Sequence, residues 1–72
     1  METVRRLIMK REGIGFFKAI LESYEDVALL TVLDGKQGEV ELIYPTEANE
    51  TVASIMDDMR RFGIVFREAE NV

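Results

Sequence analysis

The five residues Arg11-Glu12-Gly13-Ile14-Gly15 carry the spacing best suited to holding a ligand in this chain. Two glycines one residue apart let a bound molecule approach the backbone closely. The amphipathic segment behind them, Phe17 to Tyr24, places the pair at a helix N-terminus, where unpaired N–H groups and the helix dipole favour an anion or a carboxylate. The chemistry expected is capture of a small anion or an amino acid by Arg11, Glu12, Gly13, Ile14 and Gly15. The same Gly-x-Gly spacing also serves a tight strand-to-helix turn, which is its commoner use.

Covalent and metal chemistry have few candidates. The chain has no cysteine and no histidine, so thiolate and imidazole ligands are missing and only oxygen donors remain. No metal and no cofactor are expected. Asp57 and Asp58 are neighbours, about 100° apart on a helix, so they read as a solvated face and not as facing carboxylates. Arg60 and Arg61 read as complements to the negative end of that helix, with pairing to Asp57 at i+3 or i+4 spacing. Met56 and Met59 fall at core spacing. Arg5, Arg6, Lys10 and Arg11 suit an acidic partner, and equally the defence of an edge strand against aggregation. No residue is assigned a catalytic role, and an enzyme is not expected.

Charge is uneven. Residues 1–18 hold five Lys or Arg against two Asp or Glu, whereas the whole chain is at net −5. An acidic chain is a poor non-specific nucleic-acid binder, because that affinity comes from neutralising phosphates. The run Glu39-Val40-Glu41-Leu42-Ile43-Tyr44 offers one aromatic and two acids, which argues against an RNA platform. Basic residues interrupt the N-terminus, and the longest apolar run, Val27 to Leu33, is far short of a membrane span. The expectation is a soluble cytoplasmic protein that binds neither nucleic acid nor membrane. Charged residues make up 32% of the chain against about 25% in ordinary proteins, a leaning found in heat-adapted proteins.

Two matching apolar stripes define the elements that position these residues. Phe17, Ile20, Leu21 and Tyr24 follow the i, i+3, i+4, i+7 pattern, and so do Val52, Ile55, Met56 and Met59. Strand-like runs flank each stripe: Thr3 to Lys10, Val27 to Leu33, Val40 to Tyr44 and Ile64 to Glu68. The glycine-containing bend at residues 11–15 is expected to lead into the first helix. Val27 to Leu33, apolar on both faces, reads as a buried strand. Asp34-Gly35-Lys36-Gln37-Gly38 reads as a turn between antiparallel neighbours, with Asp-Gly supplying a positive φ and Gly38 a further permissive position. Pro45 should end the third strand, Thr46 or Asn49 cap the second helix, and Gly63 close it. Residues 69–72 are expected to fray.

The order βαββαβ predicts one α+β domain over residues 1–72: a ferredoxin-like sandwich with a four-stranded antiparallel sheet in the order 4-1-3-2 and both helices on one face. A chain of this size has a marginal core and no disulfide or metal to support it. Its uncovered sheet face therefore predicts a homodimer, with Val27, Leu29, Leu33 and Ile43 as the expected interface.

Three resemblances bear on function. Glu12-Gly13-Ile14-Gly15-Phe16-Phe17 resembles the phosphate loop of acylphosphatases, enzymes of this fold. The family's phosphate-holding arginine falls on Phe17 and its water-orienting asparagine near Thr31, so the groups that stabilise the transferring phosphoryl are missing. A glycine at the first strand-to-helix loop, followed by Phe16, Phe17, Ile20 and Tyr24, resembles ACT domains, regulatory modules that bind amino acids at dimer interfaces. Arg11 and Glu12 stand where those domains often carry Asp, and Glu25-Asp26-Val27 replaces their Gly-Ile-Asn. Finally, Phe17 to Tyr24, Thr31-Val32-Leu33-Asp34, Gly38 and the helix after Tyr44-Pro45 resemble a family of small bacterial proteins described as a domain of unknown function. That likeness implies a fold and a bacterial origin. The function expected is a non-catalytic regulatory or ligand-binding homodimer. The alternative is a protein-interaction module assembling through the open sheet face, with phosphate chemistry a distant third.

Overall fold

The computed structural model describes residues 1–25 and 27–69. Strand β1 (Glu2–Met9) leads into helix α1 (Arg11–Ser23), then β2 (Leu29–Asp34), β3 (Glu39–Pro45), a 3-10 turn (Thr46–Ala48), helix α2 (Asn49–Arg61) and β4 (Phe66–Glu68). The sheet order is β2-β3-β1-β4 with every pairing antiparallel, so the ferredoxin-like βαββαβ arrangement expected from the pattern is present.

The two stripes form the helical half of the core. Phe17 and Leu21 of α1 and Val52, Ile55, Met56 and Met59 of α2 are buried, with Ile20 and Tyr24 packed against them. The sheet contributes Leu7, Met9, Val40, Leu42 and Tyr44. Pairing of Leu7 with Val40 and of Arg5 with Leu42 assigns the odd positions of β1 to the helix side and leaves Val4, Arg6 and Ile8 on the open face. Tyr24 donates its hydroxyl proton to Asp58 Oδ2 at 3.2 Å and so links the two helices. That hydrogen bond, and after it the repulsion between two anions that ionisation would set side by side, holds the Tyr24 phenol above its ordinary pKa. Asp58 is thus half-buried and partnered, while Asp57 is on the solvated face predicted for both.

Four sequence expectations change. The bend at residues 11–15 is absent, because helix α1 begins at Arg11 and both Gly13 and Gly15 lie inside it. The second strand starts at Leu29 and, as an edge strand that only Leu30 ties to the core, is mostly exposed. In the β2–β3 turn the positive φ belongs to Gly38 (74°) and not to Gly35. Neither Thr46 nor Asn49 caps α2: Thr46 opens the 3-10 turn and shares a 2.9 Å hydrogen bond with the Thr3 hydroxyl, and Asn49 is already helical.

Pro45 and Gly63 fall where the reading places them, whereas β4 begins at Phe66 and not at Ile64, and Ala69 does not fray. Pro45 is the last residue of β3, pairing with Glu2. Gly63 (φ 82°) closes α2 in a Schellman motif, its N–H donating to Arg60 and that of Ile64 to Met59, each at 3.0 Å. Ala69 is tied down by its N–H donating to the Arg6 carbonyl at 2.9 Å. The remaining residues expected to fray, 70–72, lie outside the described residues.

Candidate functional site

Three chain segments meet at the end of β1 and line an open cavity of about 370 Å³. The β1–α1 junction contributes Ile8, Met9, Lys10 and Arg11. The β2–β3 turn contributes Lys36 and Gln37, and the return from α2 contributes Val65, Phe66 and Arg67.

Each segment is held for an identifiable reason. Asp34 Oδ1 accepts from the backbone N–H of Lys36 (3.0 Å) and of Gln37 (3.2 Å), which folds the turn locally. Gly38 then crosses β1 so closely that a Cβ there would stand 1.7 Å from the Met9 carbonyl oxygen, and its own carbonyl accepts from the Met9 N–H at 3.0 Å. Lys36 is thereby brought to the end of β1. Arg67 pairs with Ile8 in the ladder. The loop before it is fixed by the Gly63 closure of α2, and the Arg60 guanidinium carbon lies 4.8 Å from the centre of the Phe66 ring.

Among the described residues, four basic side chains line this cavity and no acid does. The chain has nine Lys and Arg and is net acidic, so the concentration is specific to this end of the molecule. Four of the other five are ion-paired: Arg5 with Glu68, Arg6 with Glu41 (3.4 Å), Arg60 with Asp57 (3.1 Å) and Arg61 with Asp58 (3.7 Å). Partial burial of Arg5 works against its charge, yet hydrogen bonds to Glu68 and Tyr44 outweigh this and the net shift of its pKa is upward. Lys10, Arg11, Lys36 and Arg67 have no ion pair among the described residues.

The expected binding segment is only partly reproduced. Arg11 lines the cavity, whereas Glu12, Gly13, Ile14 and Gly15 do not. Gly13 is buried, and a Cβ on it would meet Ile64 Cγ2 at 2.9 Å, so its backbone is closed to a ligand by packing. Gly15 is exposed on the helix with open space around it. Lys36, Gln37 and Arg67 went unread as site residues because only the topology brings them to Lys10 and Arg11. One local signal was available: Lys10-Arg11 sits where a helix start calls for Ser, Thr, Asp or Asn. The edge-strand reading of Arg5 and Arg6 is also corrected, since β1 lies between β3 and β4.

Of the expected interface residues, Leu29 and Ile43 pair directly on the open face. Leu29 is 64% exposed, and Val4, paired with Ile43 on the other side, is 55% exposed. Leu33 lies at the irregularity between Val32 and Asp34 and is exposed. Val27 departs from the set: it is half-buried and packs against the core.

Fold and cavity together define a small α+β sandwich with a cationic pocket at one end of its sheet. The chain belongs to the family described as Domain of unknown function (DUF4911), whose model matches residues 7–62. That span takes in Lys10, Arg11 and Lys36, and Arg67 lies beyond it. No curated protein and no solved structure matches the chain. No helix among the described residues is long and apolar enough to cross a membrane.

Proposed function

We propose that this chain is a non-catalytic module that binds a small anion in the cavity at the end of β1 and works as a homodimer. One observation carries the binding reading: four cations without ion-pair partners among the described residues line a single cavity of an acidic protein. Like charges held together in one concavity repel unless an anion joins them. Among the described residues no carboxylate lines the cavity to receive an ammonium group, so an anion suits it better than an amino acid. Isothermal titration with inorganic phosphate tests this. Binding should weaken as salt rises, and Lys36→Gln should cost about three- to tenfold in affinity. Heat signals no larger for the wild type than for the Lys10→Gln, Lys36→Gln double variant would overturn it.

The dimer rests on a different observation, the open sheet face. Val4, Leu29 and Ile43 form an apolar patch there, beside the Arg6–Glu41 ion pair. A face carrying both members of an ion pair is self-complementary across a two-fold axis. Sedimentation equilibrium should give twice the chain mass, and Leu29→Asp should return it to the monomer. A wild-type mass of one chain at 100 µM would sink the dimer reading, leaving the cavity unaffected.

A further inference from the structure

The same cavity says more about its ligand than the sign of its charge. Its volume, about 370 Å³, is at the lower end of the range roughly 300–1,000 Å³ typical of organic ligands, and a bare oxyanion fills only a fraction of it. Four of its nine lining residues are apolar: Ile8, Met9, Val65 and Phe66. Val65 lies between α2 and β4, outside either element, and is 68% exposed beside Arg67. An apolar side chain so placed gains from a ligand that covers it. Ile8 faces the same side of the sheet as Arg67, its ladder partner, whereas Phe66 pairs with Met9 and turns its ring to the helix side under Arg60.

Resting on the anion-binding reading, we propose that the ligand is an organic dianion carried on an apolar body, of the chemical class of an aryl phosphate. Its charged group lies among Lys10, Arg11, Lys36 and Arg67, and its apolar body against Val65 and Ile8. Two negative charges answer four converging cations better than one does, which favours a phosphate ester over a carboxylate. Gln37, the neutral polar residue of the wall, offers its amide N–H as a donor to the linking oxygen.

Calorimetric titration of phenyl phosphate, inorganic phosphate and benzoate into the full chain and into Val65→Ser tests this. Phenyl phosphate should bind about tenfold more tightly than either other probe. Val65→Ser should remove about threefold or more of that advantage and leave inorganic phosphate unchanged. Val65 lies outside the core, and an unchanged melting temperature without ligand confirms that the variant is folded. Inorganic phosphate binding as tightly as phenyl phosphate, or a Val65→Ser variant with full phenyl phosphate affinity, would refute the apolar wall and leave anion binding standing. Equal affinity for benzoate would refute the dianion. No binding of any probe would remove both proposals.

Discussion

The two helices occupy equivalent places in the two βαβ halves, yet the charges and the C-terminal backbone suit the helix dipole and closure in only one of them. Helix α2 has Glu50 in its first turn, Arg60 and Arg61 in its last, and Gly63 in the left-handed position that follows. Each suits the dipole or the backbone. Helix α1 starts with Lys10 and Arg11, has no basic residue in its last turn, and is followed by Glu25 at φ 58°, a conformation natural to glycine. Both helices have thirteen residues and cover one sheet, so packing does not explain the difference. The start of α1 lines the cationic cavity. Each helix has an acid in its first turn, Glu12 or Glu50, and neither has a side-chain cap, so the contrast at the N-termini is the Lys10-Arg11 pair at the positive end of α1, a local rule broken where a functional demand is placed.

The strongest way to break the comparison is at the strand ends that feed the helices. The end of β1 is crossed by Gly38, whose positive φ and contact with Met9 leave no room for a side chain. The end of β3 is held more simply, by the Thr46 N–H donating to the Met1 carbonyl at 2.9 Å. Gly38→Ala must therefore push the β2–β3 turn off β1, at a cost of about 3 kcal/mol or more. Urea denaturation should show that loss together with loss of phosphate binding, because Lys36 moves with the turn. A variant within about 0.5 kcal/mol of wild type would show that the turn does not anchor the cavity.

The helix C-termini give a smaller and symmetrical pair of effects. Gly63→Ala places a Cβ in the left-handed region and should cost about 1 kcal/mol, since nothing else crowds that position. Glu25→Gly relieves the same strain at the end of α1 and should gain a comparable amount. Opposite shifts of the urea midpoint are the expected result. Shifts of one sign would mean that the two ends are not alternatives of one design.

The features readable in the sequence are those with local causes. Periodicity marked Phe17, Leu21, Val52 and Ile55 as core, Pro45 ended its ladder, and Gly63 closed its helix because its φ is a backbone demand. The start of α1 was hidden because Lys-Arg-Glu-Gly-Ile-Gly contains no capping residue and two glycines that oppose a helix. It is helical through tertiary contact: Gly13 lets the helix lie against Ile64, from the other half of the chain, while Phe17 and Leu21 bury one face. The cavity was half visible for the same reason. Lys10 and Arg11 are adjacent in sequence, whereas Lys36 and Arg67 join them only through the Gly38 crossing and the pairing of Arg67 with Ile8.

The smallest effect separates function from stability at the helix starts. Lys10 has the extended backbone of an N-cap (φ −64°, ψ 144°) and no capping hydrogen bond from its side chain. Lys10→Asp supplies both the acceptor and a charge that suits the dipole, so stability should rise by about 1 kcal/mol. Phosphate binding should fall at the same time, because a cavity cation has become an anion. The matching change in α2, Ala48→Asp, should move stability by no more than about 0.3 kcal/mol, since Ala48 (φ −89°, ψ 8°) ends a 3-10 turn and lacks the extended geometry a cap requires. If Lys10→Asp gained stability and kept its affinity for phosphate, the unfavourable start of α1 would have no connection with the cavity. If it lost both, Lys10 would support the fold as well as the site, and the contrast between the two helices would be structural in origin.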